Sequence, residues 1–184
     1  MEQSWKPFID RSYDKLVKEN NTKELGKFLA NANEHMQVSW INSNTSLSVK
    51  LRDDDDHNGT GYDLISESGM RIQSKYRGGK NKSGRPSLFI EQTRRGSKKN
   101  EGAASRTGHV VPAVGECDVY LFTVPDNSAP GNLAKVARIA IPEDELKDPT
   151  NPGFLVPRVA ADLQDKYKGR AKEVLESLEN SINA

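Results

Sequence analysis

Residues 61–76 have the sequence GYDLISESGMRIQSKY, and the prediction of the fold starts from this stretch. Apolar and polar side chains alternate over 62–66 and again over 70–76, which is typical of β-strands. The short linker between the two runs contains Gly69, which can adopt the positive φ of a tight turn. The sequence therefore predicts a β-hairpin.

Three side chains of this hairpin form a candidate catalytic group. Because strand side chains alternate, Gln73 and Lys75 share one face, and the hairpin brings Asp63 opposite them. We expect Asp63 and Gln73 to hold Mg²⁺ through oxygen atoms, since hard cations prefer oxygen ligands. Lys75 is expected to hold an attacking water and to offset charge at a phosphate. This grouping suits phosphodiester hydrolysis. The alternative interpretation is structural: Asp63 closes a turn, and Lys75 lies on a solvated face of the strand.

The motif resembles that of the PD-(D/E)xK nuclease superfamily, and more narrowly that of type II restriction endonucleases. The family has an Asp, a spacer, and then an acidic residue, any residue and Lys on the next strand. Here the motif is Asp63, nine residues, and Gln73-Ser74-Lys75, so Gln73 departs from the usual carboxylate. The resemblance implies a restriction-endonuclease-like α+β fold and Mg²⁺-dependent, sequence-specific cleavage of double-stranded DNA. It also implies that an early-helix glutamate, either Glu24 or Glu34, can join the metal site.

Charge is strongly segregated along the chain. The net charge is +1, yet residues 71–109 contain eleven Lys and Arg against only Glu91 and Glu101, a local charge of +9. A block of this kind is what a phosphate-binding surface requires, because affinity for nucleic acid follows local charge. A solvated loop is the alternative interpretation of the same composition.

Side chains suited to phosphates or base edges are concentrated in and around this basic segment. The sequence does not separate those that would read bases from those that would only hold phosphates. The DNA-binding candidates are Arg77, Lys82, Arg85, Gln92, Arg94, Arg95, Lys98, Lys99, Arg106 and His109.

The rest of the pattern predicts a central mixed β-sheet flanked by helices. Helical spacing of apolar residues is present over 5–19, and Thr22 is a candidate cap for a second helix that buries Leu25, Phe28 and Leu29. This helical pattern gives way after Trp40. Further strands are expected at 46–51, 88–93, 118–124 and 136–141, and one amphipathic helix at 159–182. Because 118–124 is apolar without alternation, we expect this strand to be buried on both faces.

Composition limits the remaining classes of protein. The 184 residues are enough for a single domain spanning 1–184, and no apolar run approaches the length of a membrane helix. The start of the chain lacks the pattern of a signal peptide, so we expect a cytoplasmic location. The single cysteine, Cys117, excludes an internal disulfide and is expected in the core. The aspartates of 53–56 resemble the start of an EF-hand, but position twelve, counted from Asp54, is Ile65 rather than Glu.

The first functional hypothesis is therefore a Mg²⁺-dependent type II restriction endonuclease. We expect a homodimer, because one motif per chain cuts one strand at a time and a palindromic site matches two-fold symmetry. Two alternatives remain at this point. One is a DNA-binding protein without catalysis, and the other is a less specific repair or recombination nuclease of the same superfamily.

Overall fold

A five-stranded sheet forms the centre of the protein. The computed structural model describes residues 14–52, 61–77, 84–90, 93–95, 110–125 and 136–184. The elements in chain order are α1 (Thr22–Asn44), β1 (Val49–Leu51), β2 (Leu64–Ser66), β3 (Arg71–Tyr76), β4 (Thr93–Arg95), β5 (Val110–Pro112), β6 (Val119–Pro125), β7 (Val136–Pro142), a 3₁₀ helix (Glu143–Leu146), β8 (Lys147–Asp148), β9 (Asn151–Leu155), α2 (Ala161–Tyr167) and α3 (Ala171–Ile182).

The strand order of the central sheet is β1-β2-β3-β6-β7. Strands β3 and β6 run parallel, whereas the other neighbouring pairs are antiparallel, so the sheet is mixed. Helix α1 contacts β1 and β3, and helices α2 and α3 contact β7. Two separate two-stranded ribbons are formed by β4–β5 and β8–β9. The α+β class with a mixed central sheet and flanking helices is thus confirmed.

Strand β6 lies inside the sheet, between β3 and β7, and is buried, as its apolar run predicts. Residues 119–122 are all nearly inaccessible, with no more than 3% of any side chain exposed. The strand pairs with β3 from Ile72 opposite Val119 to Tyr76 opposite Thr123. Because β3 pairs with β6 over five residues, β6 fixes the position of β3 in the sheet.

The predicted hairpin is present as β2 and β3. Leu64 pairs with Ile72 in an antiparallel register. In the turn, Gly69 has a φ of +91° and donates its N–H to the Ser66 carbonyl at 3.0 Å. A glycine is needed here because side chains strongly disfavour this backbone conformation.

Helix α1 begins one residue earlier and ends four residues later than its sequence pattern indicates. Asn21, not Thr22, is the cap residue, and its side-chain oxygen accepts a hydrogen bond from the Glu24 N–H at 3.2 Å. The helix continues past Trp40 to Asn44. Of the first predicted helix, residues 14–18 are helical, residue 19 is in a turn, and residues 5–13 lie outside the described residues.

The buried face of α1 is also different from the predicted one. Leu25, Phe28 and Leu29 are only half-buried, whereas Gln37 and Ile41, nearer the end of the helix, are completely buried. The end of the helix that packs on the sheet is therefore the one with polar residues on its inner face. A pattern based on apolar spacing alone could not identify it.

The prediction of a strand at 88–93 is wrong at 88–90, where the backbone forms an isolated bridge and no strand of the sheet. Leu88 and Ile90 are buried and Phe89 is exposed, so the alternation is real. The backbone, however, hydrogen-bonds to residues 157–159 on both sides of Phe89, at 3.0 and 3.1 Å, and not to the central sheet. Of the residues described in this range, Thr93 belongs to a ladder, as the start of β4.

The single closing helix predicted at 159–182 is two helices. Helix α2 ends at Tyr167 and α3 begins at Ala171. Between them, Gly169 has a φ of +73°, a left-handed conformation that ends a helix. The strand predicted at 136–141 is confirmed as β7, and the one at 46–51 is shorter, as β1.

Candidate active site

The hairpin positions Asp63 next to Gln73. The Asp63 N–H donates to the Ile72 carbonyl at 2.9 Å, which extends the β2–β3 ladder by one residue. The Asp63 carboxylate accepts hydrogen bonds from the Gln73 amide at 2.5 Å and from the Ser74 backbone N–H at 2.8 Å, both on Oδ2. Two donors on one oxygen hold this carboxylate in a defined orientation.

Asp63, Gln73 and Lys75 line one cavity of about 500 Å³. Gln73 is 8% exposed, so its amide lies at the floor of the cavity rather than in solvent. The structure brings together the three residues that the sequence singles out, and it adds residues from α1. The complete lining is Gly26, Leu29, Ala30, Asn33, Glu34, Asp63, Gln73, Ser74, Lys75, Tyr76 and Arg77.

Glu34 of helix α1 contributes the second carboxylate of the cavity. Burial, followed by the negative charge of Asp63, raises the pKa of Glu34 from 4.5 to about 7, while the positive charges of Arg52 and Lys75 lower it. Glu24, the other candidate, is exposed and pairs with Lys27 at 2.9 Å. Glu34 therefore lines the cavity, whereas Glu24 does not.

Arg52, which directly follows β1, supports the site and was missed by the sequence analysis. Its backbone N–H donates to the Asp63 carbonyl at 2.9 Å, and its guanidinium donates to the Tyr62 carbonyl at 2.9 Å. The guanidinium also lies 5.4 Å from the centre of the Tyr62 ring, a cation–π distance. One side chain thus fixes the backbone immediately before Asp63. No local signal marks Arg52, because it lies outside the basic segment 71–109.

The donor set of the cavity fits a hard divalent cation. Glu34 and Asp63 supply carboxylate oxygens and Gln73 supplies an amide, which are the ligand types that Mg²⁺ and Ca²⁺ take. Two neighbouring carboxylates repel each other, and a cation between them would relieve that repulsion. Within the described part of the chain, no three His, Cys, Asp or Glu side chains lie together as a metal site. The cavity therefore offers two charged ligands and leaves room for others.

Cys117 lies in the core, as its sequence context predicts. It is 2% exposed, and burial, together with the negative charge of Glu143, raises the pKa of its thiol. Glu143 is itself buried and accepts hydrogen bonds from the Gly115 N–H at 2.6 Å and from the Cys117 N–H at 3.4 Å. A thiol with a raised pKa is a poor nucleophile, so Cys117 has a packing role.

Two of the predicted DNA-binding residues make contacts within the protein. Arg77 donates to the Tyr76 carbonyl at 3.1 Å and to the Phe89 carbonyl at 3.0 Å, so it links the end of β3 to the following segment. Arg85 forms an ion pair with Asp165 at 2.6 Å, and both side chains are about half exposed. Neither arrangement tests a role in DNA binding, which stays a prediction.

The other predicted DNA contacts divide into two groups. Arg94 and Arg95 lie on β4, where they pair with Val111 and Val110 in the β4–β5 ribbon. The remaining candidates lie outside the described residues: Lys82, Gln92, Lys98, Lys99, Arg106 and His109. The same is true of the aspartates at 53–56. No described helix is long and apolar enough to cross a membrane.

Comparison with known proteins gives a weak structural likeness. No protein-family model matches the chain, and no curated protein matches it. Among solved structures, the chain is similar to a bacterial homing endonuclease, I-Ssp6803I, with a TM-score of 0.48 and 15% sequence identity. The match covers 85% of this chain and 95% of the other. At this identity the likeness transfers no residue roles.

Proposed function

We propose that this protein is a Mg²⁺-dependent endonuclease that hydrolyses phosphodiester bonds in double-stranded DNA. One observation carries the proposal: Glu34, Asp63, Gln73 and Lys75 line a single cavity. Two acidic oxygen donors, an amide and a lysine are the groups that metal-assisted phosphodiester hydrolysis requires.

Each of these four residues has a role in the proposal. Asp63 and Glu34 would hold the cation. Hydrogen bonds from the Gln73 amide and the Ser74 N–H fix the orientation of the Asp63 carboxylate. When bound, Mg²⁺ lowers the pKa of a coordinated water and neutralises charge that develops on the phosphate. Lys75 orients the attacking water and offsets the same charge.

The basic segment 71–109 supplies the affinity for DNA in this proposal. Its local charge of +9 favours phosphate contacts, and its described part includes β4, which carries Arg94 and Arg95 and pairs with β5 in a two-stranded ribbon. A two-stranded ribbon has dimensions that the major groove accepts. We further propose the type II class, with a homodimer acting on a palindromic site, because one cavity per chain cuts one strand at a time.

Incubation of the purified protein with a long DNA duplex and Mg²⁺ tests the proposal. Discrete fragments are expected for a site-specific endonuclease, whereas a smear would indicate a less specific nuclease of the same chemistry. Retardation of the duplex without cleavage would refute the catalytic proposal and leave a DNA-binding protein. Sedimentation of the protein with and without DNA gives the oligomeric state.

Single substitutions connect the activity to the cavity. We expect Asp63→Ala and Lys75→Ala each to reduce the cleavage rate by about 10²–10⁴-fold, the usual contribution of such groups, while DNA binding survives. Lys172→Ala is the matched control, because Lys172 is an exposed lysine on α3 away from the cavity. Cleavage by either cavity variant at the wild-type rate would place the active site elsewhere.

A further inference from the structure

Two amide side chains on the inner face of α1 are buried against the sheet. Asn33 is 2% exposed and Gln37 is completely buried. Residues four apart lie on the same side of a helix, so the two amides form one polar stripe. Burying a polar group is unfavourable unless it is hydrogen-bonded, and both amides are bonded to the sheet.

The Asn33 amide connects α1 directly to the candidate active site. Its Nδ2 donates to the Ser74 hydroxyl at 2.8 Å. The backbone N–H of the same Ser74 donates to the Asp63 carboxylate at 2.8 Å. Glu34 follows Asn33 in the helix, so one strand residue, Ser74, is bonded both to the carboxylate of Asp63 and to the neighbour of Glu34.

Gln37 provides a second anchor one helical turn further on. Its amide nitrogen donates to the Thr123 hydroxyl on β6, and its amide oxygen accepts from the Arg138 guanidinium on β7 at 2.8 Å. The same guanidinium lies 4.6 Å from the centre of the Trp40 ring, which belongs to α1. The stripe is thus tied to three adjacent strands, β3, β6 and β7.

Apolar side chains could fill the interface between α1 and the sheet, but they would fix the position of the helix along the sheet less strictly. Hydrophobic packing is non-directional, whereas a hydrogen bond to one hydroxyl fixes both the rotation and the height of the helix. The glutamate between the two amides is the residue for which this register matters, because its carboxylate must meet Asp63 across the cavity.

We infer that Asn33 is a positioning residue that, through Ser74, sets the location of the Glu34 carboxylate relative to that of Asp63. This inference rests on the proposed metal site and goes beyond it, since Asn33 itself need not touch the cation. Gln37 serves the same register from the other end of the stripe.

The test measures Mn²⁺ affinity of the free protein by calorimetry. Ser74→Ala removes the hydroxyl that Asn33 contacts but keeps the backbone N–H on Asp63. We expect the affinity to fall by about 10-fold or more, within the 10–100-fold range caused by loss of groups that orient metal ligands. Ser74→Thr keeps a hydroxyl and is expected to keep most of the affinity.

A double variant separates positioning from stability. In Asn33→Leu with Ser74→Ala, both polar partners are removed and no buried donor is left unsatisfied, so the urea midpoint should change little. The Mn²⁺ affinity should nevertheless fall as in Ser74→Ala. If the double variant does not fold, Ser74→Ala alone decides the question.

Asn42 offers a matched control on the same helix. Its side chain bonds to the Val49 N–H at 2.8 Å and to the Val49 carbonyl at 3.0 Å, so it also ties α1 to the sheet, but it lies two turns beyond Glu34. Asn42→Ala should reduce stability and leave the Mn²⁺ affinity unchanged. A loss of affinity in Ser74→Ala no larger than that in Asn42→Ala would overturn the inference.

Failure of the inference and failure of the proposed function have different signatures. If wild-type protein binds Mn²⁺ and cleaves DNA while Ser74→Ala does both equally well, only the role of Asn33 is wrong. If wild-type protein neither binds Mn²⁺ nor cleaves DNA, the proposed function itself is wrong.

Discussion

Glu34 is a carboxyl group whose ionisation is opposed by its surroundings. Burial and the negative charge of Asp63 raise its pKa from 4.5 to about 7, in spite of Arg52 and Lys75. Between these two values the folded protein holds a proton at Glu34 that the unfolded chain has released. Because the folded state then binds more protons, its stability falls as the pH rises from about 4.5 to about 7.

We therefore expect Glu34→Gln to stabilise the metal-free protein more at pH 8 than at pH 5. Glutamine carries no charge, so the variant lacks the part of the pH dependence that Glu34 causes. The measurement is the urea midpoint of both proteins in the presence of a chelator. Glu24→Gln, at an exposed position of the same helix, is the control and should show no such difference. An equal effect of Glu34→Gln at both pH values would contradict the assigned environment.

Gln73 occupies a position at which the motif that the sequence resembles usually has a carboxylate. Its amide donates to Asp63, whereas a glutamate there would place a third negative charge in the cavity. We expect Gln73→Glu to strengthen Mn²⁺ binding, because affinity for hard cations rises with ligand charge. The same change should lower the urea midpoint without metal, because the two carboxylates repel.

Calorimetry and urea unfolding, each with and without Mn²⁺, measure both effects of Gln73→Glu. Gln73→Ala is the comparison, since it also removes the hydrogen bond but adds no charge. Tighter metal binding by the alanine variant, or no gain in the glutamate variant, would contradict the placement of residue 73 beside the proposed metal site.

At the scale of single elements, substitution by alanine is expected to have opposite effects on stability at two glycines with different backbone conformations. Gly169 separates α2 from α3 with a φ of +73°, whereas Gly26 lies inside α1. A Cβ atom at either position would meet nothing within 4 Å, so backbone preference alone sets the outcome.

We expect Gly169→Ala to destabilise the protein by about 1 kcal/mol, because alanine disfavours the left-handed region. Gly26→Ala should stabilise it by about 0.4–1 kcal/mol, because alanine restricts the unfolded chain and favours the helix. Urea unfolding of the two variants beside wild type measures both values. Stabilisation by Gly169→Ala would show that α2 and α3 are not separated by this turn.

At the scale of the whole molecule, the opposite charges of the chain are separated. The segment 71–109 carries +9 and the remainder balances it to a total of +1. If the segment binds DNA, replacing Lys98 and Lys99 by glutamine should flatten the dependence of log K on log salt. Each lost phosphate contact removes about 0.9 from the slope.

Binding to one duplex at several salt concentrations measures this slope for wild type and for the double variant. Replacement of Lys168 and Lys172, two lysines outside the segment, is the control with the same change in net charge. Equal slopes for all three proteins would mean that the basic segment is only solvated.

The sequence by itself determined the elements whose information is local. The hairpin of β2 and β3 follows from alternation and from Gly69, and β6 follows from an unbroken apolar run. The hairpin also brings Asp63 beside Gln73, because a short turn places the two adjoining strands side by side. These features depend on φ preferences and on a period of two, both of which are visible in a few consecutive residues.

Only the tertiary structure decided how distant segments meet. In the tertiary structure β3 pairs with β6 in parallel, and residues 88–90 hydrogen-bond to the segment 157–159. Glu34, and not Glu24, lines the cavity. Glu34 reaches the cavity because of the position of α1 along the sheet. Buried amides of α1 that hydrogen-bond to the sheet set this position, and an apolar pattern does not reveal them. Such contacts join residues up to about a hundred positions apart, so their energies have no signature in the local sequence of either partner.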